Sequence, residues 1–421
     1  MGSVFSSIAG FAQARPMVTG ALVLLVLGAI GYGIYVGFKG PEKKPTADEI
    51  GSTLNGRIRV CAADMCAKVE CSSTPVCTAA TRAATTAATT ATTPAPRTET
   101  FANPPSDELF INMQPPTIAH TGLDANGSFK ADTAVLAALK GGIRAFTLQI
   151  DMLDLVKSKE FADPGVPTLL YRAPDGSLLS QNSGDIKAVA TAIADAAFRP
   201  ETPSFEEPVI VYLHFVRAPN QVDEAAKYKA YLSKVAAALE PLAPVHLGND
   251  ANIGNFHRQL QEEMIIIGPL IAFRGKVIIL CNADTSPFKG DTSSTTPKED
   301  LDFWVNMRVY ALDAKDKNIG IAQPYSGQGE PTAVITSLDS IVALGATEAL
   351  TFGLKGRDRY VIAMPSANPD SGYLDKALNT LGVNMVPIDF LLENVKNAAD
   401  YKNSYDNMAW PEKIPSLRSN S

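Results

Sequence analysis

Four histidines occur in the 421 residues, and two of them, His120 and His214, stand at the ends of short apolar runs. An imidazole there is a candidate general acid or base, because its ordinary pKa lets it gain or lose a proton near neutral pH. A strand-end histidine serves equally well as a hydrogen-bonded structural residue. Asp151 and Arg172 end two further runs. Thr147, Gln149 and Asp151 alternate along one run, so in a strand they share a face. The Arg172 guanidinium is built for bidentate contact with an anion, although a solvated or ion-paired role is equally natural.

Positioning these groups requires strands. Apolar runs at 117–119, 144–150, 168–171, 209–213, 264–267, 276–281, 360–364 and 383–388 read as eight of them. Helical stretches lie between several. Asp132 is placed to cap 133–140, Asp185 to cap 186–198, and Asp223 opens 224–242. Apolar strands alternating with helices predict parallel strands buried on both faces. Eight strands, with no glycine-rich phosphate fingerprint after any of them, favour a TIM-type (β/α) barrel over an open doubly wound sheet. In such a barrel the carboxyl ends of the strands carry the chemistry. His120, Asp151, Arg172 and His214 all fall there.

Lys+Arg total 37 against Asp+Glu 44, a net charge of −7. That balance excludes a generic nucleic-acid binder, which needs a basic surface to displace counterions. A hydrophobic share of 46% excludes a wholly disordered chain.

The first hundred residues have a different texture. Residues 17–38 carry no charge. At about 1.5 Å per residue they suffice to cross a hydrocarbon core of about 30 Å. Ahead of them, within 1–16, Gly2 with Ser6 four residues on fits an N-myristoylation signal. The segment 39–105 holds Cys61, Cys66, Cys71 and Cys77, whose spacing matches no paired zinc pattern, then a Thr/Ala/Pro tract at 78–98. Disulfides in an oxidising compartment, or reduced thiols, are the two readings of the cysteines. Lys39, Lys43 and Lys44 favour a cytoplasmic carboxyl part by the positive-inside rule. The cysteines and stalk favour an extracytoplasmic or virion-exposed one, and that is the expectation adopted. Asn126-Gly127-Ser128 is a glycosylation sequon that matters only on a luminal face.

The motifs also carry a resemblance. Ile118-Ala119-His120-Thr121, followed by a helix and Gly142-Ile143-Arg144-Ala145-Phe146-Thr147-Leu148-Gln149, resembles the opening of the phosphatidylinositol-specific phospholipase C catalytic domain. Glu207-Pro208-Val209-Ile210-Val211-Tyr212-Leu213, Arg274-Gly275-Lys276-Val277-Ile278-Ile279 and Gly382 to Phe390 are similar to its later segments, in order. The opening also suits glycerophosphodiester phosphodiesterases. The resemblance spans 106–400, leaving 401–421 as an extended tail.

The resemblance implies two histidines acting as base and acid on a phosphodiester, with a calcium ion held by Asn, Asp and Glu in many members. His120 matches the first histidine. The place of the second reads Tyr171-Arg172-Ala173, and the calcium positions hold Thr121, Thr147, Gln149 and His214, none a carboxylate. No cofactor or metal is therefore expected. Arg359 matches a phosphate-binding position, and Ser366 and Asn368 follow a strand where they could touch a headgroup or simply form an Asx/Pro turn. Two outcomes are open: a degenerate barrel that scaffolds or binds a phosphorylated headgroup, or a metal-independent phosphoric diester hydrolase. In the second, His120 and His214 share acid and base roles, Arg172 steadies phosphate charge, and Asp151 and Gln149 contact substrate. The expected partners are a membrane and phosphoinositide or glycerophosphodiester headgroups. The whole layout also suits a structural membrane protein of a large DNA virus.

Overall fold

The computed structural model describes residues 108–173, 175–249, 264–288, 299–389, 405 and 408–419. All of them belong to one unit, Ala95–Ser421. Gly2, the apolar segment 17–38, the four clustered cysteines and the Thr/Ala/Pro tract lie outside the described residues. Among the described ones, no helix is long and apolar enough to cross a membrane.

The described strands are β1 (Thr117–Ile118), β2 (Ala145–Asp151), β3 (Thr168–Leu169), β4 (Val209–Phe215), β5 (Val277–Cys281), β6 (Met307–Ala311), β7 (Ala333–Ser337), β8 (Tyr360–Met364) and β9 (Pro387–Ile388). Eight run parallel in the order β8-β7-β6-β5-β4-β2-β1-β9. The two edges meet through one bridge, Ile362 with Met385, and through Ala363 N–H donating to Met385 O at 2.9 Å. The result is a nearly closed parallel (β/α) barrel.

The count of eight was legible in the sequence, but its membership is corrected in two places. The 168–171 run gives only β3, which pairs antiparallel with β2 and stands off the ring. Residues 264–266 are helical, with Met264 53% and Ile267 43% exposed. A four-residue apolar run does not by itself distinguish strand from helix. The two staves that replace them, β6 and β7, are weak as apolar signals. Arg308 and Tyr310 interrupt β6, and β7 ends in Thr336-Ser337.

Strand alternation builds two cores. Ala145, Ile210, Tyr212, Ile278, Met307 and Ile335 belong to the cluster that fills the barrel. The intervening residues, such as Phe146, Leu148, Val211 and Ile279, pack outward against α1 (Ala131–Lys140), α2 (Ile186–Ala196) and α3 (Ala225–Ala238). On the far side, Val334, Val361 and Ala363 meet α4 (Leu338–Val342), α5 (Ala346–Lys355) and α6 (Ser371–Asn379). Each fully buried aliphatic side chain contributes about 1.5–3 kcal/mol.

The helix starts follow local chemistry. Asp185 caps α2 by accepting the Lys187 amide at 2.9 Å. Asp132 lies inside the first turn of α1, where its charge meets the positive end of the helix, and the N-cap is Lys130. Likewise α3 begins after Glu224, and Asp223 belongs to the preceding turn.

The tail is part of the floor rather than a loose end. Met113 bridges Glu412, Trp410 is 1% exposed, and its ring lies 5.9 Å from Phe110, which stacks on Tyr360 at 5.2 Å. With the amino end plugged by aromatic rings, the carboxyl ends of the strands form the mouth.

Candidate functional site

His120 follows β1 in a left-handed conformation, φ 49°. For a side chain other than glycine that geometry costs on the order of 1 kcal/mol, and it turns the imidazole off the strand line. Its Nε2 lies 3.3 Å from Asp389 Oδ1, at the end of β9. Tyr171 packs its ring against the imidazole, centroids 4.2 Å apart, and donates its hydroxyl to Asp389 Oδ2 at 3.2 Å. Asn368 holds the same aspartate by its backbone: the Asp389 amide donates to Asn368 Oδ1 at 2.8 Å. The carboxylate assigns the proton to Nε2 and leaves Nδ1 with a lone pair. Nδ1 is buried with no hydrogen-bond partner among the described residues. The buried Thr121 and Thr147 hydroxyls share that condition.

His214 projects inward from β4, in register with Gln149 of β2. Its Nδ1 lies 3.0 Å from the Tyr212 hydroxyl and 3.4 Å from Asn282 Nδ2. Burial pushes its pKa down to about 3, and a charge on His120 pushes the same way, so the two imidazoles sense each other. His120 is also lowered, burial outweighing the attraction of Asp389. Near pH 7 neither ring carries a proton charge.

Asp151 ends β2 with its carboxylate fully used. Oδ2 accepts Arg172 Nε and Oδ1 accepts Arg217 Nε, each at 2.6 Å, while the Met152 amide donates to Oδ1. Arg217 also pairs with Asp154 and donates to Met152 O. The hairpin after β3 and the loop after β4 are therefore pinned to one buried carboxylate.

As donors, Thr121, Thr147, Gln149 and His214 are neutral hydroxyls, a carboxamide and an imidazole. A hard divalent cation needs several anionic oxygens, and Asp151 has none to spare. These residues do not fit calcium. Among the described residues no three His, Cys, Asp or Glu side chains gather as a metal site.

The structure thus brings His120, His214, Gln149, Asp151 and Arg172 to one end. Ser366 is exposed on the turn after β8 at that same end. Arg359 is not with them: it precedes β8, at the opposite end of the barrel, where it lies 3.6 Å from Glu330. Asn368, a candidate beside Ser366, also belongs to the mouth; Asp389, Tyr171, Tyr212 and Arg217 belong there too and were given no role by the sequence. Asp389 had a signal, an acid directly after an apolar run. Tyr171 stood in the segment matched to the second histidine, while Arg217 had no signal, because only folding carries its loop to the rim.

No protein-family model matches the chain, and neither does any curated protein. Its similarity to solved structures is low. PLC21 of L. pealei has a TM-score of 0.47 at 12% identity over 76% of this chain, which spans 38% of that one. A calcium-dependent phosphoinositol-specific phospholipase C from a Gram-negative Pseudomonas species has 0.40 at 10% identity, covering 76% of this chain and 98% of that one. A Ca²⁺-dependent phosphatidylinositol-specific phospholipase C from Streptomyces antibioticus has 0.40 at 10% identity, covering 67% and 95%. Likeness at this level assigns this chain no role, and the chemistry of the mouth rests on its own side chains.

Proposed function

We propose that this chain is a membrane-tethered, non-catalytic barrel whose mouth binds a phosphorylated headgroup, with the barrel on the extracytoplasmic or virion-exposed side. One arrangement carries the reading: both imidazoles at the mouth are buried, His120 against Asp389 and His214 against Tyr212 and Asn282, and burial holds both below the ordinary histidine pKa. A phosphodiester needs a proton donor for its leaving group as well as a base. Arg172, the residue that would steady the developing charge, has its Nε committed to Asp151.

Binding is supported by three buried polar atoms at the same end that have no partner among the described residues: His120 Nδ1, Thr121 Oγ1 and Thr147 Oγ1. Buried polar atoms take partners, and the hydroxyl and phosphate oxygens of a headgroup supply them. Two hydroxyls can donate to an anionic oxygen, while the imidazole lone pair accepts from a sugar or glycerol hydroxyl. The tether of 17–38 would hold the mouth at high local concentration near such ligands.

The catalytic alternative keeps one favourable feature, a His120–Asp389 pair with a free lone pair, which is a base without a matching acid. Full-length protein in nanodiscs distinguishes the two. Headgroup release from phosphatidylinositol and from glycerophosphodiesters, with and without calcium, should not exceed that of His120→Ala, while glycerophosphoinositol should bind saturably. Release abolished by that substitution would reject the non-catalytic reading.

A further inference from the structure

We infer that Asn126 is an N-glycosylation site, modified by transfer from a lipid-pyrophosphate-linked oligosaccharide; this rests on the extracytoplasmic placement proposed above. Asn-x-Ser/Thr with x other than Pro occurs once in the 421 residues, at Asn126-Gly127-Ser128. Transfer forms a bond from Asn126 Nδ2 to the anomeric carbon of the sugar. The bond from that carbon to the pyrophosphate oxygen breaks, the lipid pyrophosphate leaves with the electron pair, and the amide loses one proton.

The fold leaves room for the product. The sequon lies in the loop between β1 and α1, and Asn126 is exposed. Asp124 organises the turn: its Oδ1 accepts the amides of Asn126 and Ser128, each at 2.9 Å, and its carbonyl accepts the Gly127 amide at 3.1 Å. The Asn126 carbonyl accepts Gln181 Nε2 at 2.8 Å, and Ser128 Oγ lies 3.2 Å from Gln181 Oε1. Among the described residues, none of these bonds uses the Asn126 carboxamide, so a bulky substituent on it displaces no contact. Gly127 sits at φ +80°, a conformation that suits glycine at the middle position. The atoms that satisfy the turn are thus separate from the carboxamide that would carry the sugar. A glycan here would stand at the same end of the barrel as His120.

The test uses the full-length chain made in eukaryotic cells. Two readings are taken from one microsome preparation: protease protection of the barrel, and mobility before and after peptide-N-glycosidase. The expected result is a protected barrel with a shift of a single glycan, lost in Asn126→Gln and in Ser128→Ala and kept in Ser128→Thr. Release in heavy-oxygen water should mark Asn126 as the converted residue, which separates a glycan from spontaneous Asn-Gly deamidation. A protected barrel with no glycosidase shift would overturn the modification alone. A barrel cleaved from the cytosolic side would overturn the modification together with the placement it rests on.

Discussion

His120 and Asp389 lie at opposite ends of the barrel sequence, yet Nε2 and Oδ1 are 3.3 Å apart. The pair exists because β9 returns to lie parallel beside β1, with Ile118 in register with Ile388. Closing the ring and orienting the imidazole are therefore one structural event, and anything that loosens β9 also frees the histidine.

Asp389→Asn should accordingly weaken the mouth without unfolding the barrel. The carboxamide keeps the shape but loses a charged acceptor for both His120 and Tyr171. The expected loss is about tenfold in glycerophosphoinositol affinity, or about 1.4 kcal/mol, by isothermal titration calorimetry. Unchanged affinity would mean that His120 is held by its backbone alone.

Asp151→Ala should do the opposite for simple anions. It releases two guanidiniums, 23% and 34% exposed at the side chain, from one buried carboxylate. Stability should fall by about 2 kcal/mol, because the arginines regain water and part of the pairing energy is screened. Inorganic phosphate should bind more tightly than to the parent and more steeply with falling salt. Denaturation and phosphate titration at two ionic strengths check both.

The floor makes a pH prediction. Lys413 is fully buried with its Nζ 3.1 Å from Gly356 O, and burial pushes its pKa down to about 7. The unfolded chain holds that proton up to an ordinary lysine pKa, so between about pH 7 and about pH 10 it binds more protons than the folded one. Stability from this group therefore rises with pH across that window. In Lys413→Met the rise should disappear, and the variant should be the more stable at pH 7. Urea midpoints at several pH values give the answer.

Trp410→Ala should cost about 3–5 kcal/mol, since it empties a fully buried site against Phe110. A loss below about 1 kcal/mol would show that the tail is not part of the folded unit.

These relationships show how far the sequence could be read. The barrel class follows from apolar runs alternating with helices, because a parallel strand buried on both faces has to be apolar throughout. Where a stave is short or interrupted, as at Arg308 and Tyr310 of β6, the pattern fades, and a helical turn at 264–266 imitates it. His120, Gln149, Asp151 and His214 were legible because a strand end fixes a side chain's height and face. Arg217 was not, since it reaches the mouth through a loop whose path depends on the completed fold. Arg359 marks the converse limit. A position borrowed from a resemblance says nothing about which end of the strand it occupies.

The central claim is that no imidazolium exists at the mouth near neutral pH. Titration of the histidine ring protons by NMR, with His120→Ala and His214→Ala for assignment, measures it directly. The account predicts that the His214 ring stays neutral from about pH 8 down to about pH 5, and that His120 protonates only below the ordinary histidine value. Either ring titrating at or above about pH 7 would supply the missing proton donor and contradict the account.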